Sequence, residues 1–499
     1  MNLTRDPWIP AITADGPQRV FSLQELFASA HGIRDLSVKP HEKIALLRLL
    51  ICITQAALNG PKDSHAWADC RDDIQPAVKR YLEKWQDAFE LFGDGPRFLQ
   101  VPGLKAATED GEGNPATKLD LTLASGNNAS LFDNAAGITR TVPPARLALT
   151  LLAFQCFSPC GRIGVAKWNG SDTPGEGSSN HSPCTSSSML HTYVQGASLL
   201  ETIYFNLLSK EDVKELPGSG WGFPAWEKPV TRASDKEAIA NATGSYLGRL
   251  VPMSRAIRLD PAGRKMVLAN GLEYPLAPIF REAAATMMMR DKGMAVLGAS
   301  LDRSIWRQLS SIMVKRRSDA DLISGPMALR NLEGQACTIW VGALVAAGNG
   351  KIEDVVEAAY DIPAGMFADR GRGLYEDGVA LADQWAEALS KSVKAFASTL
   401  KLEPVPYERA RQAFWSRVEQ HVPVLLALAD KPEQTPDVKD SEWGRRVKKA
   451  AQDAFAFACA HGTPRQIQAH ALGLQQLFLR KPKDPNATGK KKGKARQPV

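Results

Sequence analysis

The chain has 499 residues, 44% of them hydrophobic and 23% charged, which leaves room for two to four domains and argues against a disordered or fibrous protein. Its formal charge of +7 suggests nucleic acid until it is located: residues 480–499 hold eight basic side chains against one acid, so the remainder is formally neutral. This Gly/Pro/Lys tail cannot bury enough apolar surface to fold, and reads as a solvated end or as a weak attractor of phosphate.

In chain order, the opening MNLTRDPWIP has no basic segment leading into an apolar one, so no secretory leader is expected. Seven cysteines, an odd number scattered from Cys52 to Cys459, fit a reducing cytoplasm. The most apolar stretch, Ile44 to Leu58, is interrupted by Arg48 and Gln55 and is too short for a bilayer. It predicts a buried helix, and no membrane segment is expected. Residues 125–137, SGNNASLFDNAAG, place Asn127 and Asn128 before Leu131, Phe132 and Asp133. An Asx turn leading to a core anchor is the plain structural reading.

The longest loop-like tract runs from Ser158 to His191, and loops of that length are usually functional or disordered. Cys156, Cys160, His181 and Cys184 are zinc-type ligands, but their C-x3-C and H-x2-C spacings lie outside or at the edge of structural pairs, so no metal is assigned. Serines beside His181 or His191 raise a hydrolase, yet the chain contains no G-x-S-x-G, no H-E-x-x-H and no phosphate-binding loop motif. No catalytic residue and no cofactor is assigned. The tract does offer Gly161 and Gly164 around Arg162, with Lys167 nearby, where missing side chains admit a ligand to the backbone and the cations attract phosphate.

Residues 265–276 are β-rich. In 340–363, WVGALVAAGNGKIEDVVEAAYDIP, the pair Asn349-Gly350 predicts a type I′ hairpin tip with Lys351 beside it, which taken alone is punctuation between strands. From about residue 365 four helical patterns follow, at 373–400, 407–430, 441–462 and 463–480, with Phe414, Val418, Val422 and Leu425 marking one apolar stripe. The predicted fold is α+β: an irregular mixed N-terminal domain over 1–364, an antiparallel four-helix bundle over 365–482, and a basic tail over 483–499.

Four stretches carry a resemblance in consistent order: MNLTRDPWIPA at the start, EKIALLRLLICITQAAL (42–58), SGNNASLFDNAAG (125–137) and NGLEYPLAP (270–278) preceded by basic residues. With the predicted bundle, the chain resembles the CasA family, the large subunit of the type I-E CRISPR Cascade surveillance complex. The resemblance implies a non-catalytic subunit that finds a protospacer-adjacent motif (PAM) in double-stranded DNA, reads it from the minor groove, and pries the duplex open for R-loop formation by the guide RNA. It further implies contact with the 5′ handle of the CRISPR RNA, with the other Cascade subunits, and with a recruited helicase-nuclease.

By position, the family's glycine loop falls on Cys160 to Gly164, its minor-groove lysine on Arg264 or the adjacent Lys265, and its wedge on Asn349, Gly350 and Lys351, with Asn349 standing where the family has glutamine. The family's guide-handle loop falls on Asn127, Asn128, Leu131, Phe132 and Asp133; a ring and amides there suit unpaired RNA. Two rivals remain open: a pure assembly scaffold of a ribonucleoprotein, and a zinc-dependent hydrolase using residues 156–191.

Overall fold

A computed structural model describes residues 1–478 other than 102, 107–112, 124–137, 170, 174–177, 180–181, 217–219, 233, 277–278, 315–322, 333, 348–350 and 435–436. The chain forms two compact units, Met1–Phe367 and Ala368 onward. Among the described residues no helix is long and apolar enough to cross a membrane, and all seven cysteines are free thiols.

The first unit is built around the Pro40–Leu58 helix. Proline at its first position costs no hydrogen bond, Glu42 accepts from the Lys39 amide at 3.1 Å, and left-handed Asn59 ends it. Every residue from His41 to Gln55 is buried, as an all-round apolar helix requires. The two polar interruptions are internal ties. Gln55 donates to the Leu208 carbonyl at 2.6 Å and accepts from the Tyr246 hydroxyl at 2.7 Å. Arg48 donates to the carbonyls of Leu250 (2.9 Å) and Arg249 (2.7 Å) and to Glu282 (2.9 Å). A second guanidinium, Arg249, meets the other Glu282 oxygen at 2.7 Å and lies 3.7 Å from the Phe280 ring centroid.

The opening motif serves this core. Trp8 is 1% exposed and donates to the Leu3 carbonyl at 3.0 Å, while Asn2 reaches Glu90 at 2.8 Å. Strands β1 (Ile9–Thr13), β2 (Gln18–Phe21) and β3 (Ile33–Leu36) form a sheet in the order β2-β1-β3. Strands β4 (Leu104–Ala106), β7 (Ala166–Trp168) and β8 (Ser171–Asp172) make a second sheet. It shares a small core, including Leu104, Trp168, Ala256 and Ala269, with a third sheet of β5 (Asn114–Pro115), β11 (Arg255–Leu259) and β12 (Lys265–Asn270). Strands β6 (Gly161–Arg162) and β9 (Ser178–Ser179) pair, as do β13 (Met287–Arg290) and β14 (Gly293–Val296). A further sheet has β15 (Cys337–Ala346) between β10 (His191–Gln195) and β16 (Ile352–Ile362), with β15 against the Pro40–Leu58 helix.

Among the described residues the second unit has five α-helices rather than the four patterns read from sequence: Asp369–Leu400, Tyr407–Glu419, Val422–Asp430, Glu442–Ala458 and Pro464–Phe478. The 407–430 pattern is divided at Gln420 and His421, because Pro423 lacks an amide hydrogen and its ring would collide with the carbonyl four residues back. The 32-residue first helix touches the other four. At Gly378 this contact is close enough that a Cβ would stand 2.2 Å from a Leu425 methyl, and the Gly378 carbonyl accepts from the Trp443 indole at 2.9 Å.

Candidate nucleic-acid interface

The glycine loop follows the Pro144–Phe157 helix directly. That helix is buried from Leu147 onward, and the Ser158 amide donates to the Phe154 carbonyl at 2.8 Å before the chain turns extended. Gly161 pairs with Ser179 and Arg162 with Ser178. Neither Gly161 nor Gly164 has positive φ, and a Cβ on either would meet nothing within 4 Å. Among the described residues the fold thus gives no steric or torsional reason for glycine at either position. Lys167 on β7 faces Asp172 at 2.5 Å and Lys105 across the β4 pairing. The Arg162 side chain lies outside the described residues.

The hairpin of β15 and β16 pairs from Cys337–Ile362 down to Ala346–Ile352, with a register shift at Val345/Ala346. The Ala347 amide donates to the Lys351 carbonyl at 2.8 Å. These flanks enclose three residues, not the two of a type I′ turn; Asn349 and Gly350 are among them and lie outside the described residues. Lys351 is half-buried. Behind it, Glu353, Asp354, Glu357 and Asp361 are all exposed on β16, a flank that repels phosphate.

These two elements are joined by a short strut, the Pro183–Ser188 segment, whose 3-10 turns are broken by non-helical backbone at Ser186 and Ser187. At one end the Ser182 and Ser158 hydroxyls lie 2.6 Å apart, three residues before Gly161. At the other, the Ser188 hydroxyl accepts from the Ala346 amide at 3.0 Å and donates to the Ala346 carbonyl at 3.1 Å. Ser187 and Ser188 both have positive φ, 54° and 52°, which turns the strut onto the hairpin. Ser188→Ala is expected to remove both bonds, about 1 kcal/mol, and to speed hydrogen exchange of the Ala346 amide about fivefold. Unchanged exchange there would show that the strut does not hold the hairpin base.

Arg264 and Lys265 lie elsewhere. Arg264 ends the turn between β11 and β12 and Lys265 opens β12; in that turn Gly263 has φ 68° and a Cβ would fall 2.6 Å from the Val142 carbonyl. The Val142 amide donates to Gly263 at 2.8 Å and the Ala116 amide to Arg264 at 2.9 Å, so the tip is fixed beside the start of the Pro144–Phe157 helix. Arg264 is exposed and Lys265 half-buried. The glycine loop follows the other end of that 14-residue helix, about 21 Å away. At that end the Arg255 guanidinium, on β11, donates to the Pro159 carbonyl at 2.8 Å.

Cys156 and Cys184 are fully buried neighbours, with His191 beside Cys184. Among the described residues no three ligand-type side chains are gathered to hold a metal ion; His181 lies outside them. Asn127, Asn128, Leu131, Phe132 and Asp133 also lie outside the described residues.

The family model for CRISPR-associated protein Cse1 matches residues 2–454. The chain belongs to the Cse1 family. A CasA/Cse1 protein of Thermus thermophilus is 27% identical over 431 residues, 80% of this chain and 78% of the relative. Among solved structures, Thermobifida fusca Cse1 superposes with a TM-score of 0.76 at 20% identity, covering 96% of this chain and 98% of the other. A chain of a CRISPR RNA-guided surveillance complex gives 0.73 at 16% identity, over 96% and 99%.

Several residues that shape this candidate site are not visible as such in the sequence. Ser188 and Arg255 act through hydrogen bonds to distant backbone, and Ser182 through the hydroxyl of Ser158. The available signal for the strut was Ser182-Pro183, a helix-opening pair inside what reads as a serine-rich loop.

Proposed function

We propose that this chain is the non-catalytic DNA-recognition subunit of a CRISPR RNA-guided surveillance complex. It reads a PAM in the minor groove, helps open the duplex for R-loop formation, and presents the assembled complex to a helicase-nuclease. Family membership and the likeness to a surveillance-complex chain support the setting. The observation that carries the reading is the link between two sterically open glycines and the base of the β15–β16 hairpin through the Pro183–Ser188 segment. Glycine backbone fits a narrow, chemically degenerate groove, and a rigid tip splits the base pairs next to it.

In this reading Gly161 and Gly164 face the motif, with Arg162 and Lys167 on the adjacent phosphates. Asn349 and Gly350, followed by Lys351, form the wedge. Asn127, Asn128, Leu131, Phe132 and Asp133 meet the 5′ handle of the guide RNA and the neighbouring Cascade subunits. We take the five C-terminal helices as a four-helix bundle whose second member is bent at Pro423, and the seven free thiols as those of a cytoplasmic protein.

Arg264 and Lys265 take a different role from that implied by the resemblance. A helix length from the glycine loop, they fit backbone phosphates better than the motif's base edges. Arg264→Ala with Lys265→Ala is therefore expected to weaken target binding by the assembled complex alike with and without the PAM, and to make the salt slope shallower by about 1–2. A loss confined to PAM-bearing targets would return these cations to motif reading. Full binding and normal opening by this variant and by glycine-loop variants alike would favour the scaffold.

A further inference from the structure

The second unit carries an uneven charge distribution. The Tyr407–Glu419 and Glu442–Ala458 helices hold seven cationic side chains against four acids, while the other three helices hold five against six. The two cation-rich helices lie against each other, and between them runs an open groove of about 530 Å3. Arg417, Arg445, Arg446 and Lys449 line it.

Its two acids are engaged within their own helix. Glu442 pairs with Arg446 at 2.6 Å and Asp453 with Lys449 at 2.8 Å, exposed pairs that cost little to exchange for another anion. Arg417 and Arg445 each donate one bond to a backbone carbonyl, at 2.8 and 2.9 Å, and a guanidinium has further donors to offer.

A solvated charged face needs no aromatic residue, and this one has Phe457. It lies eleven residues after Arg446, on the same face of the helix and about 16 Å along it. Its ring is 51% exposed, with the Arg409 and Arg417 guanidiniums 4.5 and 5.8 Å from its centroid. Cations along a groove, ending at an aromatic ring and guanidinium planes, are the parts with which proteins hold unpaired strands: phosphates on the charges, a base stacked at the end.

We propose that this groove binds a short single-stranded nucleic-acid segment, with phosphates on Arg417, Arg445, Arg446 and Lys449 and a base stacked at Phe457. The site is separate from the glycine loop and hairpin and does not rest on their reading.

The test uses the full chain, with its basic tail present in every variant so that tail binding cancels in comparison. Fluorescence anisotropy is followed with labelled oligo-dT, oligo-U and a duplex of equal length, and with labelled heparin as a base-free polyanion. Arg446→Gln with Lys449→Gln is expected to weaken oligo-dT binding about tenfold and to flatten its salt slope by about 1–2. Phe457→Ala is expected to weaken oligo-dT or oligo-U binding about tenfold while leaving heparin unchanged. The two oligonucleotide arms identify which strand chemistry the groove takes. Equal loss by Phe457→Ala on oligonucleotides and heparin, wild-type binding by both variants, or a preference for duplex would each overturn the proposal. Unaltered urea unfolding of the variants confirms that the groove alone has changed.

Discussion

Glu282→Ala is expected to destabilise the first unit by about 3–5 kcal/mol, measured as a lower urea midpoint by tryptophan fluorescence. Arg48 and Arg249 are each 2% exposed and share this one carboxylate. Removing it leaves two buried guanidiniums without their counter-charge, which is the costly way to break a buried ion group. Replacing Arg48, Arg249 and Glu282 together by methionine should recover part of the loss. Recovery is incomplete because the carbonyls of Leu250, Arg249 and Thr243 would lose their donors. A Glu282→Ala midpoint equal to the parent's would show that the trio contributes nothing net.

The same trio sets an acid limit. Burial alone would raise the Glu282 carboxyl, but the two guanidiniums, Arg48 foremost, outweigh it and hold the group at about 2 against an ordinary value of 4.5. A depressed acid contributes stability that is fully present above its unfolded value and is lost as pH falls through its folded one. Parent stability should therefore decline from about pH 4.5 toward pH 2, and Glu282→Gln should flatten that part of the profile.

Gly350→Val and Asn349→Ala are expected to leave the complex assembled yet slow its opening of paired linear duplex by about tenfold or more. One uncompensated base step of about 1.4 kcal/mol is enough for that factor. A β-branched residue resists the positive φ that short hairpin connections demand, and alanine removes the polar tip while keeping much of the turn. Both variants should bind a target with a pre-melted bubble as well as the parent does, and negative supercoiling should rescue them in part. The measurement is R-loop formation on paired, bubbled and supercoiled forms of one target. If both variants open paired linear duplex at the parent's rate, the hairpin is only a connection between strands.

Much of the architecture was legible because it rests on local pattern. The all-round apolar run from Ile44 to Leu58 could only be a buried helix, and the three- and four-residue spacing after residue 365 marks helices whatever they pack against. What was not legible depends on partners far away in sequence. Arg48 and Gln55 look like breaks in an apolar helix until residues about 200 positions later are seen to bind them. Pro423 divides a helix whose apolar stripe continues through it, and side-chain periodicity carries no information about a missing amide. At the candidate site the hairpin was visible as turn chemistry and the glycine loop as missing side chains beside cations, but Ser187 and Ser188 join them through left-handed backbone that serine rarely adopts. The turn at Arg264 and Lys265 shows the converse limit: alignment gives order along the chain, and only the Pro144–Phe157 helix gives the distance.

The ties of Arg48 also impose a schedule on biosynthesis. Its partners Arg249, Leu250 and Glu282 lie 201, 202 and 234 positions downstream. At about 5–20 residues per second, a ribosome needs roughly 12–47 seconds to reach Glu282 after making Arg48. Throughout that interval the Arg48 guanidinium is without its counter-charge, although helices that cover the Pro40–Leu58 segment, Ile74–Lys84 and Pro144–Phe157 among them, are made before it ends. The N-terminal unit therefore gains its buried charge balance only after most of its length has been made. Chains that stall between Arg249 and Glu282 carry two guanidiniums without the carboxylate that balances them, which favours their retention by a chaperone or their removal.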